Sequence, residues 1–83
     1  MKILHIIRNP NDETPIEIAR SQSEENEVAV LLLHDGVYAN PDVQCKIYAC
    51  AADAEARDVA GHEYVDFKRI VQMLFEFDKV LSW

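Results

Sequence analysis

Cys50 is the residue whose type and position are best suited to covalent chemistry. It ends an apolar stretch and is followed by Ala51, Ala52 and Asp53. In parallel α/β sheets, ligand chemistry gathers outside the carboxyl ends of the strands. A thiol at the start of a helix is biased toward the thiolate by the helix dipole and its free N–H groups. The position therefore predicts a reactive thiol, and the alternative is that Cys50 is buried packing, as cysteines often are.

His34 is the candidate assisting group, because it ends another apolar stretch and could donate a proton or support a nearby thiolate. The alternative is a strand-end residue beside the turn formed by Asp35 and Gly36. Cys45 lies five residues before Cys50, which places their α-carbons about 16 Å apart in a strand at roughly 3.3 Å per residue. A disulfide tolerates only about 7 Å, so we interpret Cys45 as structural.

Metal and cofactor sites are not predicted. His5, His34, Asp35 and Cys50 lack the spacing of a metal-ligand motif. The chain has only two glycines, too few for a glycine-rich phosphate loop. We expect His5 to be a packed, hydrogen-bonded residue. We interpret His62 as a solvated loop residue and Trp83 as a side chain that docks against a neighbour.

The length and charge limit the class of protein. Eighty-three residues support one domain, residues 1–83, and no second core. Fifteen acidic side chains against eight Lys and Arg give a net charge of −7, which disfavours direct binding to nucleic acid or to an anionic membrane surface. No apolar run reaches the roughly 18 residues of a membrane span, and the start does not read as a secretory leader. We expect a cytoplasmic protein with reduced cysteines.

Alternating strands and helices must position these residues. Nearly continuous apolar runs predict covered strands, and the spacing of apolar residues in the last helix predicts one apolar face. Thr14 is the expected N-cap of the first helix, in a capping box with Glu17, and Asp53 and Asp66 are the expected N-caps of the others. The pattern is that of a single small layered α/β domain with a mainly parallel central sheet flanked by helices. The predicted strands are 2–7, 27–33, 45–50, 63–65 and 80–83; the predicted helices are 14–23, 53–57 and the one after Asp66 with apolar face Phe67, Ile70, Val71, Leu74 and Phe75.

Four segments, in order along nearly the whole chain, resemble the DsrH/TusB family of the DsrE/DsrF/DsrH sulfur-relay group. The first three segments are Leu4–Pro10 ("LH.L.RSP" in the family), Leu31–Ala39 ("LLLQDGVYA", with His34 in place of Gln) and Ile47–Arg57 ("VYAL..D..ARG", with Asp58 replacing the final Gly). The fourth consists of Tyr64–Phe67 and the closing residues Val80–Trp83, which resemble the family's terminal "W" segment.

Two departures from the family pattern matter. Residues 40–44 leave no room for the helix that the family has before the third strand, so one face of the sheet is expected to be thinly covered or covered by a partner. In related DsrE/TusD-type subunits the persulfide cysteine stands eight residues before the glycine of an Arg-Gly pair. Counting back eight from Asp58 gives Cys50, where DsrH/TusB-type subunits commonly lack a thiol.

The resemblance implies a small subunit of a cytoplasmic sulfur-relay complex. Such subunits assemble with DsrE/TusD-like and DsrF/TusC-like partners into hetero-oligomers and pass persulfide sulfur between donor and acceptor proteins. In one branch the sulfur serves 2-thiolation of the tRNA wobble uridine, and in another it serves sulfur oxidation. Two alternatives stay open: a non-catalytic scaffold subunit with an inert Cys50, and a stand-alone regulatory or binding domain, as a homo-oligomer or a monomer.

Overall fold

The computed structural model describes residues 1–83 as a five-stranded sheet in which every pairing is parallel. The sheet has the order β4-β3-β2-β1-β5. This confirms the predicted α/β domain with a parallel central sheet. The strands are β1 Lys2–Ile7, β2 Glu27–Leu32, β3 Lys46–Cys50, β4 Glu63–Val65 and β5 Lys79–Ser82.

Three α-helices and one 3-10 turn connect the strands. The helices are α1 Thr14–Gln22, α2 Ala51–Ala56 and α3 Phe67–Glu76, and the 3-10 turn is His34–Tyr38. None of the helices is both long enough and apolar enough to cross a membrane.

The α1 face of the sheet is the side that carries α1, α2 and the 3-10 turn. Its central cluster joins strand residues to Val37 of the turn and Ala54 of α2, and each of its members is almost wholly buried. As predicted, residues 40–44 form no helix. They leave a cavity of about 300 Å³ beside α1, lined in part by Ile16, Arg20 and Pro41.

Gly36 fixes the 3-10 turn against the end of β1. A Cβ on Gly36 would lie 2.2 Å from the backbone oxygen of Ile7, a separation that no real side chain tolerates. Leu33, just before the turn, donates its N–H to the same oxygen at 3.0 Å. The glycine at position 36 is therefore required by close backbone approach.

The α3 face of the sheet carries α3 alone. Its core joins Leu4, Leu31 and Cys50 to Ile70 and Met73 of the helix. The predicted N-cap is confirmed, since the Asp66 side chain accepts the Arg69 N–H at 2.8 Å.

The predicted apolar face of α3 is only partly buried against the sheet. Ile70 is buried, but Phe67 is 66% exposed, Val71 52%, Leu74 41% and Phe75 87%. The helix contacts the sheet along its Ile70 and Met73 edge. The rest of its apolar arc points away from the core.

The expected capping box at α1 is also wrong. The N-cap position is Glu13, without a side-chain cap, and Thr14 is already helical with Pro15 next to it. Asp12 instead accepts the Thr14 N–H at 3.2 Å. The Asp12 side chain, in an Asp turn, therefore provides the hydrogen bond at the start of α1 in place of the cap expected from Thr14.

Candidate functional site

Cys50 lies at the end of a strand, where the chain leaves this strand and the neighbouring one toward opposite faces of the sheet. It ends β3 and pairs in register with Val65, which ends β4. After β3 the chain enters α2, whose Ala54 packs on the α1 face, and after β4 it enters α3 on the other face. The carboxyl ends of the strands are the edge at which open α/β sheets place ligand chemistry. The predicted position of Cys50 at a strand end is therefore confirmed.

The Cys50 side chain is 1% exposed and packs in the core of the α3 face, with Leu4, Leu31 and Met73 in the same cluster. Its backbone is extended and forms the N-cap position of α2. In this conformation the thiol is therefore not accessible to a cysteine of another protein. The cause is α3, which places Ile70 and Met73 in the same cluster.

Asp53 accepts a hydrogen bond that links two elements of the candidate site. The expectation that it is the N-cap of α2 is wrong. The helix begins two residues earlier, at Ala51, so Asp53 lies in its first turn and accepts the His34 N–H at 2.8 Å. That bond is the main reason that the pKa of Asp53 is lowered. Burial opposes this effect, and the neighbouring Cys50, His34 and Arg57 side chains add to the lowering.

Arg57 ties α2 to the 3-10 turn. Its Nε donates to Asp35 Oδ1 at 2.9 Å and one terminal nitrogen donates to the Asp53 carbonyl oxygen at 3.2 Å. The hydrogen bond to Asp35 is the main cause of the raised pKa of Arg57. The sequence holds a partial signal for this group, because Asp53 and Arg57 have the i, i+4 spacing of a helical ion pair. Nothing local indicates that Asp35 joins them.

His34 reaches the site through its backbone. It adopts a left-handed conformation, with φ of 51°, which is uncommon outside glycine and enriched at functional positions. This turn directs its N–H to Asp53, while the side chain is exposed. The predicted assistance by the imidazole remains a prediction.

The remaining candidates lie elsewhere. Cys45 is half-buried on the α1 face, and burial raises the pKa of its thiol. His62 is not a solvated loop residue, since its Nε2 hydrogen bonds to the Val37 carbonyl at 3.0 Å. No cluster of three or more His, Cys, Asp or Glu side chains is placed to hold a metal ion.

His5 is fully buried and hydrogen-bonded, as predicted. The Trp83 indole N–H donates to its Nδ1 at 3.0 Å, so Nε2 carries the proton that is donated to Gln22 Oε1 at 2.6 Å. The two rings also stack, with centroids 6.0 Å apart. Trp83 therefore packs within its own chain, which corrects the expectation that it docks against a neighbour.

The comparisons with known proteins identify the fold. The crystal structure of the ychN protein from E. coli matches with a TM-score of 0.70, covering 99% of this chain and 97% of that chain. The two sequences are 16% identical, so the likeness is one of fold. No family model and no curated protein matches the sequence.

Proposed function

We propose that this chain is a small cytoplasmic subunit of a sulfur-relay assembly, in which Cys50 carries persulfide sulfur. The observation that carries the proposal is the place of Cys50, at the carboxyl end of β3 and at the N-cap position of α2. Two further facts support it. The sequence resembles the DsrH/TusB family in four collinear segments, and the fold is that of the ychN protein.

The chemistry is a sulfur transfer with no net change of oxidation state. Cys50 sulfur attacks the terminal sulfur of a donor persulfide, a new S–S bond forms, and the donor's S–S bond breaks. The Cys50 proton ends on the departing donor thiol. An acceptor thiolate then attacks the terminal sulfur of Cys50–S–SH, which returns Cys50 to the thiol and leaves the persulfide on the acceptor.

Transfer requires that the thiol becomes accessible, and α3 is the element that must move. Only Ile70 and Met73 of α3 are buried against the sheet. A helix held by so few buried side chains belongs to the part of a structure that opens at low cost in free energy. In this proposal a donor or acceptor protein reaches Cys50 in such an opened state.

The proposal also names the partner subunits and the molecule that finally receives the sulfur. DsrE/TusD-like and DsrF/TusC-like subunits are the partners that the resemblance implies, and 2-thiolation of the tRNA wobble uridine is the destination we favour. The net charge of −7 supports delivery of sulfur to another protein, because an acidic surface repels the phosphates of tRNA. His34 is the proposed assisting group beside the thiol.

The test is to load the protein with a persulfide donor and locate the added sulfur by intact-mass and peptide mass spectrometry. We expect one sulfur atom on Cys50, and none on the Cys50→Ser variant. Cys45→Ser is the matched control and should load like the parent. Sulfur that persists in Cys50→Ser would contradict the role of Cys50.

A second candidate is a non-catalytic scaffold subunit of the same type of complex. The observation that favours it is the 1% exposure of Cys50 within a hydrophobic cluster. The two candidates differ in a simple measurement. A scaffold takes up no persulfide, and its Cys50 resists alkylation until the protein unfolds.

A further inference from the structure

His5 is a buried ionisable side chain that takes no part in the proposed sulfur transfer. It lies within β1 and is 0% exposed. Both of its ring nitrogens are occupied, since Nδ1 accepts the Trp83 indole N–H at 3.0 Å and Nε2 contacts Gln22 Oε1 at 2.6 Å. An indole nitrogen can only donate a hydrogen bond. The arrangement therefore requires the neutral imidazole, with its one proton on Nε2.

A second proton on His5 is incompatible with the Trp83 contact. The charged imidazole has an N–H on both nitrogens, so the N–H on Nδ1 would face the indole N–H, donor against donor. A buried charge also costs free energy unless an opposite charge pairs with it. None of the ion pairs in the chain includes His5.

The elements packed around His5 offer no such charge. Its neighbours in register are Val30 of β2 and Leu81 of β5, and its polar contact on α1 is the uncharged Gln22. The charged side chains of these elements have other partners or are exposed: Lys2 with Glu27, Arg8 with the Trp83 carbonyl oxygen, Arg20 with the Asp42 carbonyl oxygen, and the exposed Glu17 and Lys79.

The element that can give way is β5. It is an edge strand that pairs with β1 alone, and Leu81 is its one residue that is not exposed. Trp83, directly after it, is half-buried and donates its backbone N–H to the Ile6 carbonyl oxygen at 2.9 Å. Elements with so little buried surface open at a low cost in free energy. When β5 and Trp83 leave β1, the Nδ1 atom of His5 becomes free to bind a proton.

We propose that His5 and Trp83 form an acid-sensitive contact, which holds β5 on the sheet and releases it when His5 takes up a proton. The released state binds one more proton than the closed state, so release becomes more favourable as the pH falls. An exposed histidine takes up its proton at about pH 6.5, well above the range of ordinary carboxyl groups. Release of β5 therefore precedes unfolding by acid. It does not depend on sulfur transfer by Cys50.

The test is hydrogen exchange, measured by NMR on the full chain at pH 7.5 and pH 5.5. The probe is the backbone N–H of position 83, and each rate is divided by that of an unstructured peptide at the same pH. We expect the protection of this N–H to fall about tenfold between the two pH values, the factor set by one histidine proton. The Leu33 N–H is the internal control. It donates to the Ile7 carbonyl oxygen at 3.0 Å and should keep its protection.

Two variants separate His5 from the other two histidines, His34 and His62. His5→Gln keeps a hydrogen-bonding side chain that takes up no proton in this range, so the protection at position 83 should be equal at the two pH values. Trp83→Phe keeps an aromatic ring without the N–H, and it serves as the second test if His5→Gln does not fold. Its protection at position 83 should fall less than that of the parent, because a proton on Nδ1 no longer faces a donor.

Three results would overturn the proposal. The first is a parent protein whose position 83 is equally protected at pH 7.5 and pH 5.5. The second is a variant of either kind in which protection falls as far as in the parent. The third is an equal loss of protection at Leu33, which would mean that the whole domain unfolds and that β5 is not released by itself.

Discussion

The two faces of this sheet belong to the same five strands but are closed very differently. On the α1 face, helices and the 3-10 turn bury their apolar side chains, and Gly36 packs backbone on backbone. On the α3 face, one helix buries two side chains and exposes four others. The α1 face is closed by well-packed side chains, whereas the α3 face holds the thiol under a helix that leaves four apolar side chains exposed. The difference shows that one sheet can be closed tightly on one side and loosely on the other.

The largest expected effect on the free energy of unfolding comes from comparing a leucine-to-alanine substitution on each of the two faces. Leu32 is wholly buried on the α1 face, and Leu74 is 41% exposed on α3. Leu32→Ala should lower the free energy of unfolding by about 3 kcal/mol, as for other buried leucines. Leu74→Ala should lower it by less than about 1 kcal/mol. Urea denaturation of dilute protein measures both, and equal losses would contradict the contrast between the faces.

The next effect concerns Asp53, which joins α2 to the 3-10 turn. Asp53→Asn keeps an acceptor for the His34 N–H but removes the charge, so we expect a loss of about 1 kcal/mol at pH 7. The pKa of Asp53 is lowered in the folded state. Its contribution is therefore present above the ordinary carboxyl value and is lost as the pH falls below about 4 through the lowered folded value.

The measurement is urea denaturation of both proteins from pH 7 to pH 3. The difference in unfolding free energy should shrink on acidification. A difference that grows as the pH falls would mean that the Asp53 charge destabilises the fold.

A smaller effect tests whether α3 controls access to Cys50. Asp66→Ala removes the N-cap of α3, which is worth about 1 kcal/mol. If opening of α3 exposes the thiol, alkylation of Cys50 should become about fivefold faster, the factor that corresponds to 1 kcal/mol. Cys45 is the internal control: it lies on the α1 face and burial raises its thiol pKa. Equal acceleration at both cysteines would indicate global unfolding instead.

The smallest effect is expected at the end of α2. Asp58 has a φ of 54°, a left-handed conformation that favours glycine after a helix. Asp58→Gly should therefore raise the free energy of unfolding by about 0.5 kcal/mol. Thermal denaturation measures this gain, and Asp58→Ala, which lacks the same freedom, should not show it.

The sequence predicted the elements whose signals are local. The runs 2–7 and 27–33 gave β1 and β2, and the spacing after Asp66 gave α3. The exposure of Phe67, Val71, Leu74 and Phe75 could not be predicted, because periodicity tells which residues share a side of a helix but not what covers that side. One ten-residue helix on a five-stranded sheet leaves part of its apolar arc without a neighbour.

The candidate site was predicted in position but not in its contacts. Cys50 falls at a strand end, as its neighbours indicated. Asp53 looked like a helix cap because caps and tertiary acceptors use the same residue types. Its real donor, the His34 N–H, lies 19 residues away, and no local pattern contains that information.

The sheet order also determines when the fold can be completed during synthesis. β1 lies between β2 and β5, and its pairing with β5 joins residues as far apart as Lys2 and Asp78. Contacts of such separation form late, because a long loop must be closed first. Until β5 has been made, the outer edge of β1 is an open template for other strands. The nascent chain is therefore expected to be prone to aggregation until β5 has been made.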